Sequence, residues 1–311
     1  MKVEISLFAT KLKNVAGFGK GTSDPYAVVT LGESNLGKTE PYKNSLNPMW
    51  TTRFVTEYTR ELELTLSVDI FDEINKGKKD KPMGSATFEL GDVLQSSGHI
   101  KSAPLKPGGE LYVRVQELAP FDRGSLHLQI RGIQLANVEM FSKSDPFYEI
   151  QTARSLPNGS QFWQPIYRSE IIKNNLQPKW NECELSIESL CAGNHERPLQ
   201  IQVFDWEKSG KHQSIGMLRT NVKKLLSACL TNGVLQLIQD NRFYGTLMCT
   251  KAEIVGEGLD PTKPPPRFKT INGVRNFNPQ YAEWQQQFGS GASGGPAPAP
   301  SKQTFSYNPP R

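Results

Sequence analysis

Apolar residues along this chain fall mostly at every second position, in short runs, and rarely at helical spacing. In the first half the runs are "KVEISLFA", "YAVVTL", "TTRFV", "LELTLSVDIF", "SATFEL" and "ELYVRVQEL". The second half gives "SLHLQIRGI", "FYEIQTA", "WQPIYRSEII", "ECELSI", "LQIQVFDW", "SIGMLRT" and "GTLMCTKAEIV". Period-two alternation bounded by Gly, Pro, Asn and Asp predicts half-buried antiparallel strands. The spacing predicts roughly eight strands in each half, packed as a sandwich. One stretch departs from this pattern: "NVKKLLSACL", Asn221 to Leu230, predicts a short amphipathic helix in a connection.

The halves repeat one another. Asp24-Pro25 answers Asp145-Pro146, "NSLNPMW" around Trp50 answers "NNLQPKW" around Trp180, and "IFDEIN" around Asp72 answers "VFDWEK" around Asp205. The offset grows from 121 residues at the Asp-Pro pairs to 130 at the tryptophans, which places an insertion in "TARSLPNGSQFWQ". The order of landmarks is kept, so a duplication with one lengthened loop is expected. The modules are placed at 1–118 and 124–255, with a short joint "LAPFDRGS" that allows fixed packing between them. From 256 to 311 the chain turns Pro-, Gly- and Ala-rich and is expected to be a disordered tail. Its end, "FSYNPPR", reads either as a solvated terminus or as a short recognition segment for protein partners. Trp50 and Trp180 are expected to be core or loop anchors.

Composition narrows the class. The chain has 311 residues, 37% apolar and 22% charged, which is ordinary for globular domains. Its net charge of +5 is too small for that length to point to nucleic acid. An apolar run long enough to span a bilayer is missing, and the start "MKVEISLFATKLKNV" alternates charged and apolar residues, so a cytoplasmic protein is expected. Cys183, Cys191, Cys229 and Cys249 lack the paired spacing of a zinc site and are expected to be reduced structural thiols. There is no glycine-rich phosphate loop, no His-Glu-x-x-His and no Gly-x-Ser-x-Gly, so an enzyme is not expected.

The Ser-Asp-Pro-aromatic turn, the strand leading to Asn-Pro-x-Trp and the apolar strand ending in Phe-Asp together resemble the C2 domain. The second module is more narrowly similar to the copine type in "KSDPF", "YRSEIIKNNLQPKW" and "SLCAGNHERPLQIQVFDWEKSGKHQSIG". Copines follow their tandem C2 pair with a von Willebrand type A domain marked by Asp-x-Ser-x-Ser, which this sequence lacks, so the resemblance covers Met1 to Val255. It implies an all-β fold of two eight-stranded antiparallel C2-like sandwiches in tandem. It also implies calcium and anionic phospholipid as ligands, and a peripheral place at the plasma membrane or internal membranes.

A hard cation takes about 6 to 8 oxygens, so a C2 site needs carboxylates from more than one loop. The resemblance places Asp24, Asp72 and Asp80 at ligand positions of the first module, with Phe18 and Ile74 standing where the family has acids. Lys76, Lys78, Lys79 and Lys81 crowd the same loop and oppose a divalent ion. The second module offers Glu139, Asp145, Asp205 and Glu207, with Gln213 at the last Asp position, and is expected to be the main calcium site. An Asp before Pro is also a common turn former in its own right. Phe18, Met140 and Phe141 are expected at the loop tips as membrane contacts, supported by the four loop lysines. Lys38, Lys43, Arg168, Lys173 and Lys179 correspond to the family's basic lipid-headgroup face, although lysines and arginines on strands also simply solvate a sandwich.

Overall fold

The computed structural model describes residues 1–17, 21–60, 62–74, 79–140, 142–258, 262–271 and 274–288. Phe18, Lys76, Lys78 and Phe141 therefore lie outside the described residues.

The first module is a sandwich of eight strands: β1 (Lys2–Thr10), β2 (Pro25–Leu31), β3 (Ser34–Lys38), β4 (Phe54–Glu57), β5 (Thr65–Asp72), β6 (Lys81–Glu89), β7 (Ile100–Pro104) and β8 (Glu110–Glu117). They form two antiparallel sheets in the orders β4-β1-β8-β7 and β3-β2-β5-β6. Leu66, Val68 and Ile70 alternate along β5 and are fully buried against Val3, Ile5, Leu7, Leu111, Val113 and Val115 of the facing sheet. A short helix α1 (Leu90–Gln95) closes one end.

The second module repeats the plan with β9 (Arg123–Ile133), β10 (Pro146–Ser155), β11 (Gln161–Arg168), β12 (Cys183–Ser186), β13 (Leu199–Asp205), β14 (Gln213–Thr220), β15 (Val234–Gln239) and β16 (Arg242–Glu257). These strands run β11-β10-β13-β14-β15-β16-β9-β12 as one antiparallel sheet folded over its core, its halves joined by the single register pair Met217↔Ile238. Helix α2 (Ile187–Cys191) precedes β13, and α3 (Val222–Leu230) is the predicted helix, with the Asn221 side chain capping the Lys224 amide at 2.8 Å. Trp50 and Trp180 are fully buried, and each indole N–H donates to the carbonyl of the Asp-Pro turn, Pro25 at 3.1 Å and Pro146 at 3.3 Å. The repeated tryptophan thus fastens the repeated turn. All four cysteines are free thiols.

Met1–Glu257 form one compact unit, and Gly258–Arg311 a second. Contacts within the first unit join the two modules. Along β1 the even positions Glu4, Ser6 and Phe8 are buried as thoroughly as the core-facing odd ones, because the second module covers that face. Phe8 stacks on Tyr112 and meets Phe162 of the second module at 5.0 Å. The Arg53 guanidinium donates to the Pro165 carbonyl at 2.8 Å, and Asn44 Nδ2 donates to the Lys208 carbonyl at 2.9 Å. The tail expected to be disordered is ordered in part. It pairs β17 (Phe268–Ile271) with β18 (Val274–Phe277) in a hairpin, followed by helix α4 (Pro279–Phe288). The Pro-rich composition hid two aromatic strands, in which Phe268 and Phe277 meet edge to face.

Candidate metal centre and its counterpart

In the second module the acids converge at one rim. Pairing of β10 with β13 sets Pro146 opposite Asp205, so the turn before β10 and the end of β13 lie side by side. The Asp145 N–H donates to Asp205 Oδ1 at 2.7 Å, and Asp145 Oδ1 accepts the Asn174 N–H at 2.7 Å. These bonds fix each carboxylate in its turn. One carboxylate oxygen from each of Glu139, Asp205 and Glu207 lies within 4.8 Å of the others. Asp205 is fully buried, and its Oδ2 has no hydrogen-bond donor. Burying such an acceptor is costly unless something positive meets it. The Glu139 carboxyl titrates above its usual range, first through partial burial and then through the charges of Asp205 and Glu207. Crowded, acceptor-only oxygens with one orphan in their midst fit a hard divalent cation, whose remaining ligands would be water or phosphate.

Neighbours hold Glu207 in place. Its backbone N–H donates to His212 Nδ1 at 3.0 Å, and the Gln213 amide reaches its carboxylate at 3.3 Å. Burial, followed by repulsion from Arg168, lowers the His212 pKa, which keeps Nδ1 an acceptor. The imidazole stands edge-on to Phe147 at 5.0 Å.

The first module has the same scaffold. Pro25 opposes Asp72, the Asp24 N–H donates to Asp72 Oδ1 at 2.7 Å, and the Asn44 N–H donates to Asp24 Oδ1 at 2.7 Å. The electrostatics are reversed. Lys43 Nζ lies 3.1 Å from Asp24 and 2.5 Å from Glu73, so an ammonium already occupies the acidic rim. Burial alone would lower the Lys43 pKa, but the bonds to Glu73 and Asp24 outweigh it and raise the value. Asp80 accepts the Ile74 N–H and the Tyr26 hydroxyl, both at 2.8 Å, and these bonds lower its pKa. Burial, and then Asp80, push the Tyr26 hydroxyl up to about 12. Among the described residues, Glu139, Asp205 and Glu207 are the one acidic group gathered closely enough to hold an ion.

The basic residues separate as well. Lys43, expected on a headgroup face, is spent on Asp24 and Glu73. Arg168 is paired with Glu149 at 2.6 Å and stacks 4.4 Å over Tyr42 of the other module, so it belongs to the seam between modules. Lys81 donates to the Val15 carbonyl at 2.9 Å, while Lys79 is exposed. Lys38 lies over the Tyr26 ring and Lys173 over Trp206, both with exposed side chains, and Lys179 is exposed beside β9. Met140 is 85% exposed, next to the acidic rim. Sequence reasoning missed Glu73 and the part played by Lys43. The visible signal was the repeated Lys-Asn pair, Lys43-Asn44 and Lys173-Asn174, combined with a Glu in one copy where the other has Trp206.

The C2-domain family profile matches residues 3–105 and 124–237, and this chain belongs to the C2-domain family as a tandem pair. No other kind of domain was found in it. C2 domains are typically membrane- and phospholipid-binding modules, some of them calcium-dependent. Among solved structures, "BON1-C2B" is similar at 24% identity, covering 44% of this chain and 96% of its own, with a TM-score of 0.37. The calcium-bound pair of C2 domains of Extended-Synaptotagmin 2 is similar at 18% identity, covering 80% of this chain and 94% of its own, with a TM-score of 0.32. A third, titled "Structure of a C2 domain", matches at 25% identity over 38% of this chain and 99% of its own, with a TM-score of 0.30. Among the described residues no helix is long and apolar enough to cross a membrane.

Proposed function

We propose that this chain is a peripheral adaptor that docks on anionic phospholipid in the cytoplasm, with calcium acting through the second module alone. Glu139, Asp145, Asp205 and Glu207 would hold the ion, and lipid phosphate would complete its shell. Calcium would supply the positive charge that lets an acidic rim approach an anionic surface. Met140 beside that rim would enter the interface. The copine-like character of the second module, read from its sequence, agrees with this assignment. The observation that carries the proposal is the buried, donor-free Oδ2 of Asp205, gathered with the carboxylates of Glu139 and Glu207.

Sedimentation with phosphatidylserine vesicles tests it. The full chain is expected to pellet with calcium and to stay largely in the supernatant with a chelator. Equal pelleting in both conditions would favour a calcium-independent scaffold, a role for which the ammonium-sealed first module is already suited. No pelleting in either would remove the membrane reading.

A further inference from the structure

The unit that follows Glu257 builds a small platform of its own. Asn278 is 1% exposed, and its N–H and side-chain amide donate to the carbonyls of Arg267 at 3.0 Å and Pro266 at 2.8 Å. Its Oδ1 accepts the Gln280 N–H at 3.3 Å. One residue thus caps helix α4 and ties its start to the residues that lead into β17. Pro279 takes the first helical position, where its missing N–H costs nothing.

The platform carries a row of aromatic rings. Register sets Phe268 opposite Phe277, so the two rings share one face of the hairpin, 6.1 Å apart. Phe277 meets Tyr281 at 6.4 Å, and Trp284 meets Phe288 at 6.2 Å. Along α4, Tyr281, Trp284 and Phe288 stand at i, i+3 and i+7, which is one face of a helix. The positions between them, Ala282, Glu283, Gln285, Gln286 and Gln287, are exposed and hold nothing apolar beyond one alanine. No residue of α4 is buried, while Phe268 is 39% and Phe277 50% exposed.

Charge gathers in the same unit. From Gly258 onward the sequence has Lys263, Arg267, Lys269, Arg275, Lys302 and Arg311 against Asp260 and Glu283, so +4 of the net +5 falls there. The Arg267 guanidinium lies 5.7 Å over the Phe268 ring, at the head of the aromatic row. Trp, Tyr and Phe rings beside cations suit the headgroup layer of an anionic bilayer.

We propose that the aromatic face of the hairpin and α4 is a second membrane contact, which settles into the headgroup layer of an anionic bilayer without calcium. It shares with the reading above only the choice of surface. A ten-residue helix binds weakly by itself, so the contact acts mainly by multiplying the affinity of calcium-driven docking.

The test is sedimentation of the full chain with phosphatidylserine vesicles in two arms. With calcium, the double variant Trp284→Gln, Phe288→Gln should lose about tenfold in vesicle affinity, with its lipid-free calcium isotherm unchanged. In chelator, with lipid raised until the natural chain begins to pellet, the double variant should stay in the supernatant. The chelator arm reads this face alone, so it stands whether or not calcium acts at Asp205. Vesicles with brominated acyl chains then locate the contact: in chelator they should quench tryptophan fluorescence of the natural chain. Trp284→Phe should lose that quenching and keep most of the affinity. Equal binding of the double variant and the natural chain in both arms would overturn the proposal and leave the face to a protein groove. Unquenched fluorescence in the bound natural chain, equal binding to neutral phosphatidylcholine vesicles, or no pelleting in chelator at any lipid concentration would each overturn it as well.

Discussion

The two rims share one backbone plan and differ in what answers their acids. In each, an Asp-Pro turn donates its N–H to the Asp that ends the partner strand, and an Asn N–H caps the turn carboxylate, all at 2.7 Å. In the first module the lysine before that Asn reaches Asp24 and Glu73. In the second the equivalent Lys173 lies 5.8 Å over the ring of Trp206, which stands where the first module has Glu73. Exchanging one acid for an aromatic therefore redirects a lysine and leaves the second rim without its cation. A turn that is structurally conserved between repeats does not carry an ion site by itself. On the proposed reading, an ion enters only where no side chain has already neutralised the acids.

The largest effect that can break this comparison comes from matched substitutions. Asp205→Asn is expected to weaken calcium binding by about a hundredfold or more, since it removes a ligand charge at the centre of the group. Asp72→Asn, at the same place in the first module, is expected to leave the calcium isotherm unchanged in calorimetry. An effect of Asp72→Asn equal to that of Asp205→Asn would erase the distinction.

Next in size is the membrane contact. Met140→Asp forfeits burial worth roughly 1.5–3 kcal/mol, so calcium-dependent vesicle affinity should fall about tenfold or more. Unchanged vesicle affinity would place the contact elsewhere. A smaller effect sharpens the comparison from the other side: Lys43→Met frees Asp24 and Glu73 and should add a second calcium event with a dissociation constant on the order of 1 mM, read by calorimetry. An isotherm identical to that of the natural chain would show that Lys43 is not what silences the rim. The smallest change is Asn44→Ala, which removes the bond to the Lys208 carbonyl in the loop after Glu207 and should cost about 1 kcal/mol in chemical unfolding. Hydrogen exchange at the Gly210 amide, which donates to the Glu207 carbonyl at 2.9 Å, should rise with it.

The fold was legible because alternation such as Leu66, Val68, Ile70 is the direct imprint of a sheet with one face in a core. Strands β3 and β7, "SNLGK" and "IKSAP", were not, because polar edge strands have no such imprint. The burial of Glu4 and Ser6 was equally hidden: they read as the solvent face of β1, and only packing between modules covers them. At the site, Glu139, Asp205 and Glu207 come together where the resemblance implied acids, while Asp145 lies outside that close group. In the first rim the loop lysines Lys76 and Lys78 lie outside the described residues, and the ammonium seen against its acids is that of Lys43. Lys79 and Lys81 adjoin Asp80 in sequence, whereas Lys43, from the turn after β3, reaches Asp24 and Glu73. Arg168 looked like a surface base and is a seam residue, since no local pattern shows Glu149 and Tyr42 closing on it.

The most direct measurement is a crystal of the full chain soaked in calcium, with the ion located by anomalous scattering. The expected result is an ion bound among Glu139, Asp145, Asp205 and Glu207, with the Lys43 ammonium still between Asp24 and Glu73. An ion beside Asp24 and Asp72, or a second rim left empty at saturating calcium, would contradict it.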